Sequence, residues 1–201
     1  MRESSLSRHL KRGHEMIDTE RMIRLAGRRE LDAVAALVAD AFAHYRGVLP
    51  AHIFDPYLKD SCDFASRWGQ TDIAVLEMQG CLVGTVTYYA DASHEGMGWP
   101  SGVAGLRTLA VAPSAQGHGY GRALCSWCIG RARQDGAHAL TLHTAEFMTA
   151  ACKLYEGLGF RRQPSHDLAA SSVLGFGPGL ADQMIIAYAL PLADAGHAPD
   201  H

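Results

Sequence analysis

No uninterrupted apolar stretch in this chain comes near the ~18 residues that a membrane-spanning helix needs, so no membrane span is expected. Residues 1–19 carry Arg2, Arg8, Lys11 and Arg12, but no apolar run follows that would make a secretion signal of them. An excess of one charge is also missing: 18 Lys and Arg against 21 Asp and Glu leave a formal net charge of −3. Without a broad basic field, neither nucleic acid nor an anionic membrane is an expected partner. Cysteines are few and odd in number: Cys62, Cys81, Cys125, Cys128 and Cys152. In a chain with no secretion signal, that set reads as reduced thiols in a cytoplasmic setting. Cys125-Ser-Trp-Cys128 matches C-x-x-C, yet no second pair exists and the motif falls inside a predicted helix. Packing is the expected role of these thiols, and no metal site is expected. Internal repeats are absent too.

What is present suits one well-buried domain. The chain has 201 residues, 48% hydrophobic and 19% charged. Residues 20–191 read as that domain, with 1–19 an expected mobile leader and 192–201 an expected tail. Met22 to Ala26 reads as a strand. Leu31, Val34, Leu37, Val38, Ala41 and Phe42 fall at helical spacing over Glu30 to Ala43. Pro50 to Trp68 reads as one helix or two. Asp72 to Met78 and Cys81 to Ala90 read as a hairpin turned at Gln79-Gly80. Asp91 to Gly105 reads as a loop, Leu106 to Val111 as a strand, His118 to Gln134 as a helix and Ala139 to His143 as a strand. Phe147 to Glu156 predicts a helix with Phe147, Ala151 and Leu154 inward, stopped by Gly157 and Gly159. A strand begins at Phe160, Ser165 to Leu180 reads as a long loop, and Gln183 to Leu190 as the last strand. The order predicts one mixed α/β sheet with helices packed on it.

The stretch from Leu106 to Cys125 is the most informative. It reads as a strand, a short turn, a glycine-rich loop and a helix, with Gln116, Gly119 and Gly121 spaced as Gln-x-x-Gly-x-Gly. Such a loop aims backbone N–H groups at one spot, and the following helix adds its own unpaired N–H groups and the positive end of its dipole. That suits a pyrophosphate. A dinucleotide-binding fold competes for this reading, but it needs Gly-x-Gly-x-x-Gly directly after its strand. Here Arg122 stands at the third glycine's place, and Pro113 to Ala115 separate strand from loop.

A second motif follows at Leu154-Tyr155-Glu-Gly-Leu-Gly-Phe160. Together the two motifs resemble the GNAT N-acetyltransferase superfamily, closely over Leu106 to Arg161 and loosely before it. The resemblance implies a mixed, mostly antiparallel central sheet with helices on both faces and splayed central strands. It implies acetyl-CoA as acyl donor. Backbone groups around Leu109 and Val111 would then face the pantetheine arm, and the amides of His118, Gly119, Tyr120, Gly121 and Arg122 the pyrophosphate. Gly117 would shape the loop and Gln116 stand at its entrance. The Leu109 N–H would support the developing oxyanion, and Tyr155 would protonate the departing thiolate as general acid.

This chain also departs from the resemblance. Met148 stands near the place where many relatives carry an asparagine, and Gly105 where many carry a glutamate base. His94, Glu95 and His143 are other candidate bases, each more often a residue without catalytic duty. Asp91, His94, Glu95 and Trp99, the Tyr45–Tyr57 region and the 165–180 segment are candidates for lining an acceptor pocket. No Cys/His or Ser/His constellation argues for a covalent intermediate, and Cys152 reads as packing. The expected reaction is direct attack of a small-molecule or peptide amine on acetyl-CoA, with a homodimer the common assembly among similar proteins. A CoA-binding module without turnover is the alternative.

Overall fold

The fold is given by a computed structural model, which describes residues 21–174 and 184–192. The expected leader and most of the expected tail lie outside the described residues. In chain order the elements are β1 (Arg21–Leu25), α1 (Leu31–Phe42), α2 (Ala51–Ser61), α3 (Phe64–Arg67), β2 (Asp72–Met78), β3 (Cys81–Tyr89) and β4 (Ala104–Val111). There follow α4 (Tyr120–Gln134), β5 (Ala139–Ala145), α5 (Thr149–Glu156), β6 (Arg161–Arg162), β7 (Leu168–Ala169), α6 (Ala170–Leu174) and β8 (Met184–Pro191). One sheet runs in the order β1-β2-β3-β4-β5-β8-β6, and β7 also pairs with β8. Every pairing is antiparallel except β4 with β5. Among the described residues no helix is long and apolar enough to cross a membrane.

Alternation along β2 divides the core into two. Ala74 and Leu76 join Leu124, Cys125, Cys128 and Ile129 of α4 on one face. Ile73 and Val75 join Val34, Leu37, Val38 and Phe42 of α1 on the other. Period-two alternation in a strand covered on both sides produces this split. The apolar stripe of α4 recurs at helical spacing, which is why Cys125 and Cys128 sit fully buried in the core.

Two irregularities position the site. β4 and β5 pair only at Ala104 with Leu140 and Gly105 with Thr141. From Leu106 onward the strands part, as the splay expectation required. In addition, β4 carries a bulge. Thr85 of β3 faces Ala110 while Thr87 faces Arg107, so two steps on β3 match three on β4. Within those three, Thr108 adopts φ 53°, a left-handed conformation rare for a β-branched residue. The extra residue reverses the alternation. Leu106 packs toward α4 and Ala110 toward α1, although both have even numbers.

Several boundaries differ from the sequence expectations. Helix α4 starts at Tyr120, not His118, because Gly119 at φ 78° lies outside the helical region. Helix α5 starts at Thr149, leaving Phe147 outside it, where its ring meets Tyr45 at 5.4 Å. The expected loop after Tyr89 holds a 3₁₀ turn, Ala92–Glu95, and surrenders its last two residues to β4. The 165–180 segment is partly regular, with β7 and α6 in it; 175–180 lies outside the described residues. The strand after Phe160 is only Arg161–Arg162, since Pro164 opens a new turn.

Candidate active site

The gap between β4 and β5 leads to the N-terminus of α4. Gly117 and Gly119 take φ 81° and 78°, conformations that suit glycine and turn the loop into the helix. No side chain caps α4 and no acidic residue lies in its first turn, so its leading N–H groups have no anion of the chain's own. Gln116 braces the loop, its Nε2 donating to the Val111 carbonyl at 3.2 Å. Gly121 lets α4 approach α5: a Cβ there would lie 3.3 Å from Leu154 Cδ2. Arg122 donates to the Gly157 carbonyl at 3.3 Å and ties the two helices together.

A groove results, lined by Leu109, Val111, Gln116, Gly117, Gly119, Tyr120, Gly121 and Arg122, with Ala150, Ala151 and Leu154 opposite. Most of the residues expected to bind the cofactor thus line one groove; His118 and Tyr155 do not. The His118 Nδ1 turns back toward the Gln116 carbonyl at 2.9 Å, and its ring stacks on Tyr120.

Leu109 also lines a second cavity, on the far side of the strand gap, and Tyr155 stands in that cavity's wall. The Tyr155 ring is buried 5.8 Å from Phe160 and 6.3 Å from Tyr188. Burial raises its phenol well above the ordinary value, so the proton stays on oxygen at neutral pH. Thr108, at the bulge, lines the same cavity with a buried Oγ1 that has no hydrogen-bond partner.

The rest of the second cavity is largely apolar, with the hydroxyl-bearing Tyr45, Tyr57, Ser61 and Thr144 and a short charged row. Arg67 donates to Asp60 Oδ1 at 3.2 Å, Asp60 Oδ2 holds Arg107, and Arg107 Nη1 stands 3.9 Å from Glu95 Oε1. Tyr45 and Tyr57 line this space with Leu49 and Ile53 between them, and Ala170 and Val173 contribute from α6. Glu95 is there too, but Asp91, His94 and Trp99 are not. Asp91 accepts the Ser93 N–H at 2.9 Å to cap its turn, and His94 is exposed.

His143 borders the cavity yet has no free nitrogen. Trp99 Nε1–H donates to its Nδ1 at 3.2 Å, and its Nε2 meets the His166 carbonyl at 2.9 Å. Indole is a donor only, so Nδ1 carries no proton and Nε2–H donates. Burial pushes the His143 pKa down, which fits this neutral tautomer. Met148 Sδ accepts weakly from Thr144 Oγ1 at 3.6 Å. Sequence reasoning missed Asp60, Arg107 and Thr108. Arg107 inside an apolar strand was a visible signal; the other two were not.

A model of the acetyltransferase (GNAT) family matches residues 34–160. A mycothiol acetyltransferase of Thermobispora bispora is 37% identical over 86 residues, 43% of this chain and 28% of that protein. One from Arthrobacter sp. is 38% identical over 69 residues, 34% of this chain and 21% of that protein. The chain thus spans about a quarter of the length of these curated relatives. Among solved structures, the ribosomal-protein-S18-alanine N-acetyltransferase of Escherichia coli superposes with a TM-score of 0.63 at 23% identity, over 90% of this chain and 100% of that one. An acetyltransferase of Salmonella typhimurium, crystallised with its cofactor acetyl-CoA, gives 0.59 at 22% identity, over 90% and 99%. With a family model covering more than half its length, and with the strand gap and glycine loop in place, this chain belongs to the acetyltransferase (GNAT) family.

Proposed function

We propose that the protein transfers the acetyl group of acetyl-CoA to a primary amine by direct attack. One observation carries the reading. The strand gap opens beside an uncapped helix N-terminus, and it joins two cavities at Leu109. The N–H groups of Gly119, Tyr120, Gly121 and Arg122 are the donors for the diphosphate, within a loop bent at Gly117 and braced by Gln116. His118 contributes its backbone alone. The edge of β4 from Leu109 to Val111 that β5 leaves open faces the pantetheine arm. The thioester lies at Leu109, whose N–H stabilises the oxyanion.

The amine enters from the second cavity. Its lone pair forms the C–N bond at the thioester carbon, the C–S bond breaks, sulfur takes the Tyr155 proton, and the proton that nitrogen loses returns to the Tyr155 oxygen. Holding both reactants at one point is itself a large part of the catalysis. The acetyl-CoA bound by the Salmonella relative supports the donor, and the five free thiols fit a reducing cytoplasm. The test is release of CoA thiol from acetyl-CoA across a broad amine panel, run beside calorimetric titration of acetyl-CoA. Turnover with at least one amine is expected. Tight binding without thiol release from any amine would leave a binding module instead.

A further inference from the structure

One carboxyl in the second cavity has no structural duty. The Glu95 side chain is 2% exposed, and its Oε2 is buried without a hydrogen-bond partner. A carboxylate oxygen is expensive to bury in that condition. Its other oxygen is too far from Arg107, at 3.9 Å, for a hydrogen bond, and Arg107 is committed to Asp60. The turn that carries Glu95 lies directly on β4. A Cβ on Gly105 would stand 3.1 Å from Ala92 Cβ and 3.5 Å from Glu95 Oε2, so the absence of a side chain at Gly105 makes room for this carboxyl. A second unpartnered group, Thr108 Oγ1, lines the same cavity. Around them the walls are largely apolar, with Leu49, Ile53, Phe147, Val173 and Ile185 beside the uncharged hydroxyls of Tyr45, Tyr57, Ser61 and Thr144.

We propose that Glu95 is a catalytic residue that takes a proton from the acceptor's ammonium group, and that the acceptor is a primary amine on an uncharged, apolar body. The proposal rests on acetyl transfer at this site. An N–H bond of the ammonium breaks as an O–H bond forms on Glu95. The freed lone pair makes the C–N bond to the acetyl carbon, and CoA leaves as thiolate. A second nitrogen proton replaces the one that sulfur takes from Tyr155. The Glu95 proton passes to solvent, so ammonium and acetyl-CoA give amide, CoA thiol and one proton.

The acceptor class follows from the walls. One ammonium finds one carboxyl that is not already held, since Asp60 is bound by Arg67 and Arg107. A polyamine or aminoglycoside would set its remaining charges against apolar side chains or beside Arg107 and Arg67. A free amino acid would bring a carboxylate against Glu95, while the nearest cation is already held by Asp60.

The electrostatics agree. Burial lifts the Glu95 carboxyl from an ordinary 4.5 to about 7, with Arg107 and Arg67 pulling it down and Asp60 pushing it up. The Tyr89 phenol also faces it, and burial raises that pKa, so it stays neutral. The carboxylate therefore forms as pH rises through neutrality.

Thiol release is measured with 2-phenylethylamine, spermidine and kanamycin as acceptors. Wild type is expected to favour 2-phenylethylamine by about 100-fold in kcat/KM, on a limb that rises near pH 7. Glu95→Gln is expected to lower kcat/KM by ~10²–10⁴-fold and abolish that limb, with acetyl-CoA affinity unchanged by calorimetry. Glu95→Asp is expected to keep part of the activity and displace the limb; it decides the matter if Glu95→Gln binds no acetyl-CoA. Full turnover of the Gln variant on an unaltered pH profile overturns the base. A preference for spermidine or kanamycin overturns the acceptor class. A wild type that binds acetyl-CoA but releases thiol with no amine overturns the acetyl-transfer reading beneath both.

Discussion

The groove and the cavity that meet at Leu109 are built from different materials. The groove is distinguished by its backbone: glycines at positive φ, the open end of α4 and the edge of β4 that β5 leaves open. Two of its side chains, Gln116 and Arg122, brace protein against protein. The cavity is mainly side chain, drawn from α1, α2, α6, β4, β5 and the turns between them. The groove can serve any ligand with the same diphosphate handle, because N–H groups and a helix dipole do not discriminate further. The cavity discriminates, because buried charges and apolar walls reject a mismatched partner at high cost. On the proposed function, one chain separates a generic donor site from a particular acceptor site, with a strained strand residue, Thr108, next to Leu109 where the two meet.

The contrast can be broken most directly at Tyr155, whose proposed duty is in the chemistry rather than in either binding surface. Tyr155→Phe is expected to lower turnover by ~10²–10⁴-fold while leaving the acetyl-CoA dissociation constant in place, as read by thiol release and calorimetry. Unchanged turnover at every pH would remove the general-acid role.

Next in size is a stability effect confined to the cavity. The Glu95 carboxyl has a raised pKa in the folded state, so the native protein binds its proton more tightly than the unfolded chain does. Its contribution is complete below an ordinary carboxyl pKa and is lost as pH rises through about 7. Glu95→Gln is accordingly expected to stabilise the unliganded protein at alkaline pH, by at most on the order of 3 kcal/mol, with the gain fading at acid pH. Urea unfolding at both pH values checks this; an equal effect at both would show that the carboxyl is not desolvated.

A smaller effect is expected at His143, which borders the cavity without a free nitrogen. His143→Leu orphans the Trp99 N–H and should cost about 1–2 kcal/mol in thermal unfolding, while the activity limb near pH 7 stays where Glu95 sets it. Disappearance of that limb would transfer the base role to the histidine. The smallest effect belongs to the groove. An added Cβ at Gly119 meets no atom within 4 Å, so Gly119→Ala acts through backbone conformation alone. That costs on the order of 1 kcal/mol and should weaken acetyl-CoA binding roughly fivefold by calorimetry. No change in affinity would show that the loop's amides do not hold the donor.

The groove was largely legible in the sequence because its parts are local. A glycine spacing fixes backbone direction within a few residues, and an uncapped helix start follows from Gly119-Tyr120 itself. The helical spacing of apolar residues along α1 and α4 announced the helices that cover the sheet for the same reason. Where boundaries slipped, a single backbone angle or proline decided them, as at Gly119 and Pro164.

The cavity was not legible, because its members are far apart in the chain. Asp60 and Arg107 meet only after α2 folds beside β4. His143 loses its candidacy only when Trp99 and His166 arrive to occupy both of its nitrogens. Glu95 gains its own only when the turn that bears it settles on Gly105 and takes the carboxyl out of water. Local spacing, acting through backbone geometry, determined the family, the sheet and the loop. Which charges end up desolvated and unpaired depends on long-range packing, and that the tertiary structure alone decided.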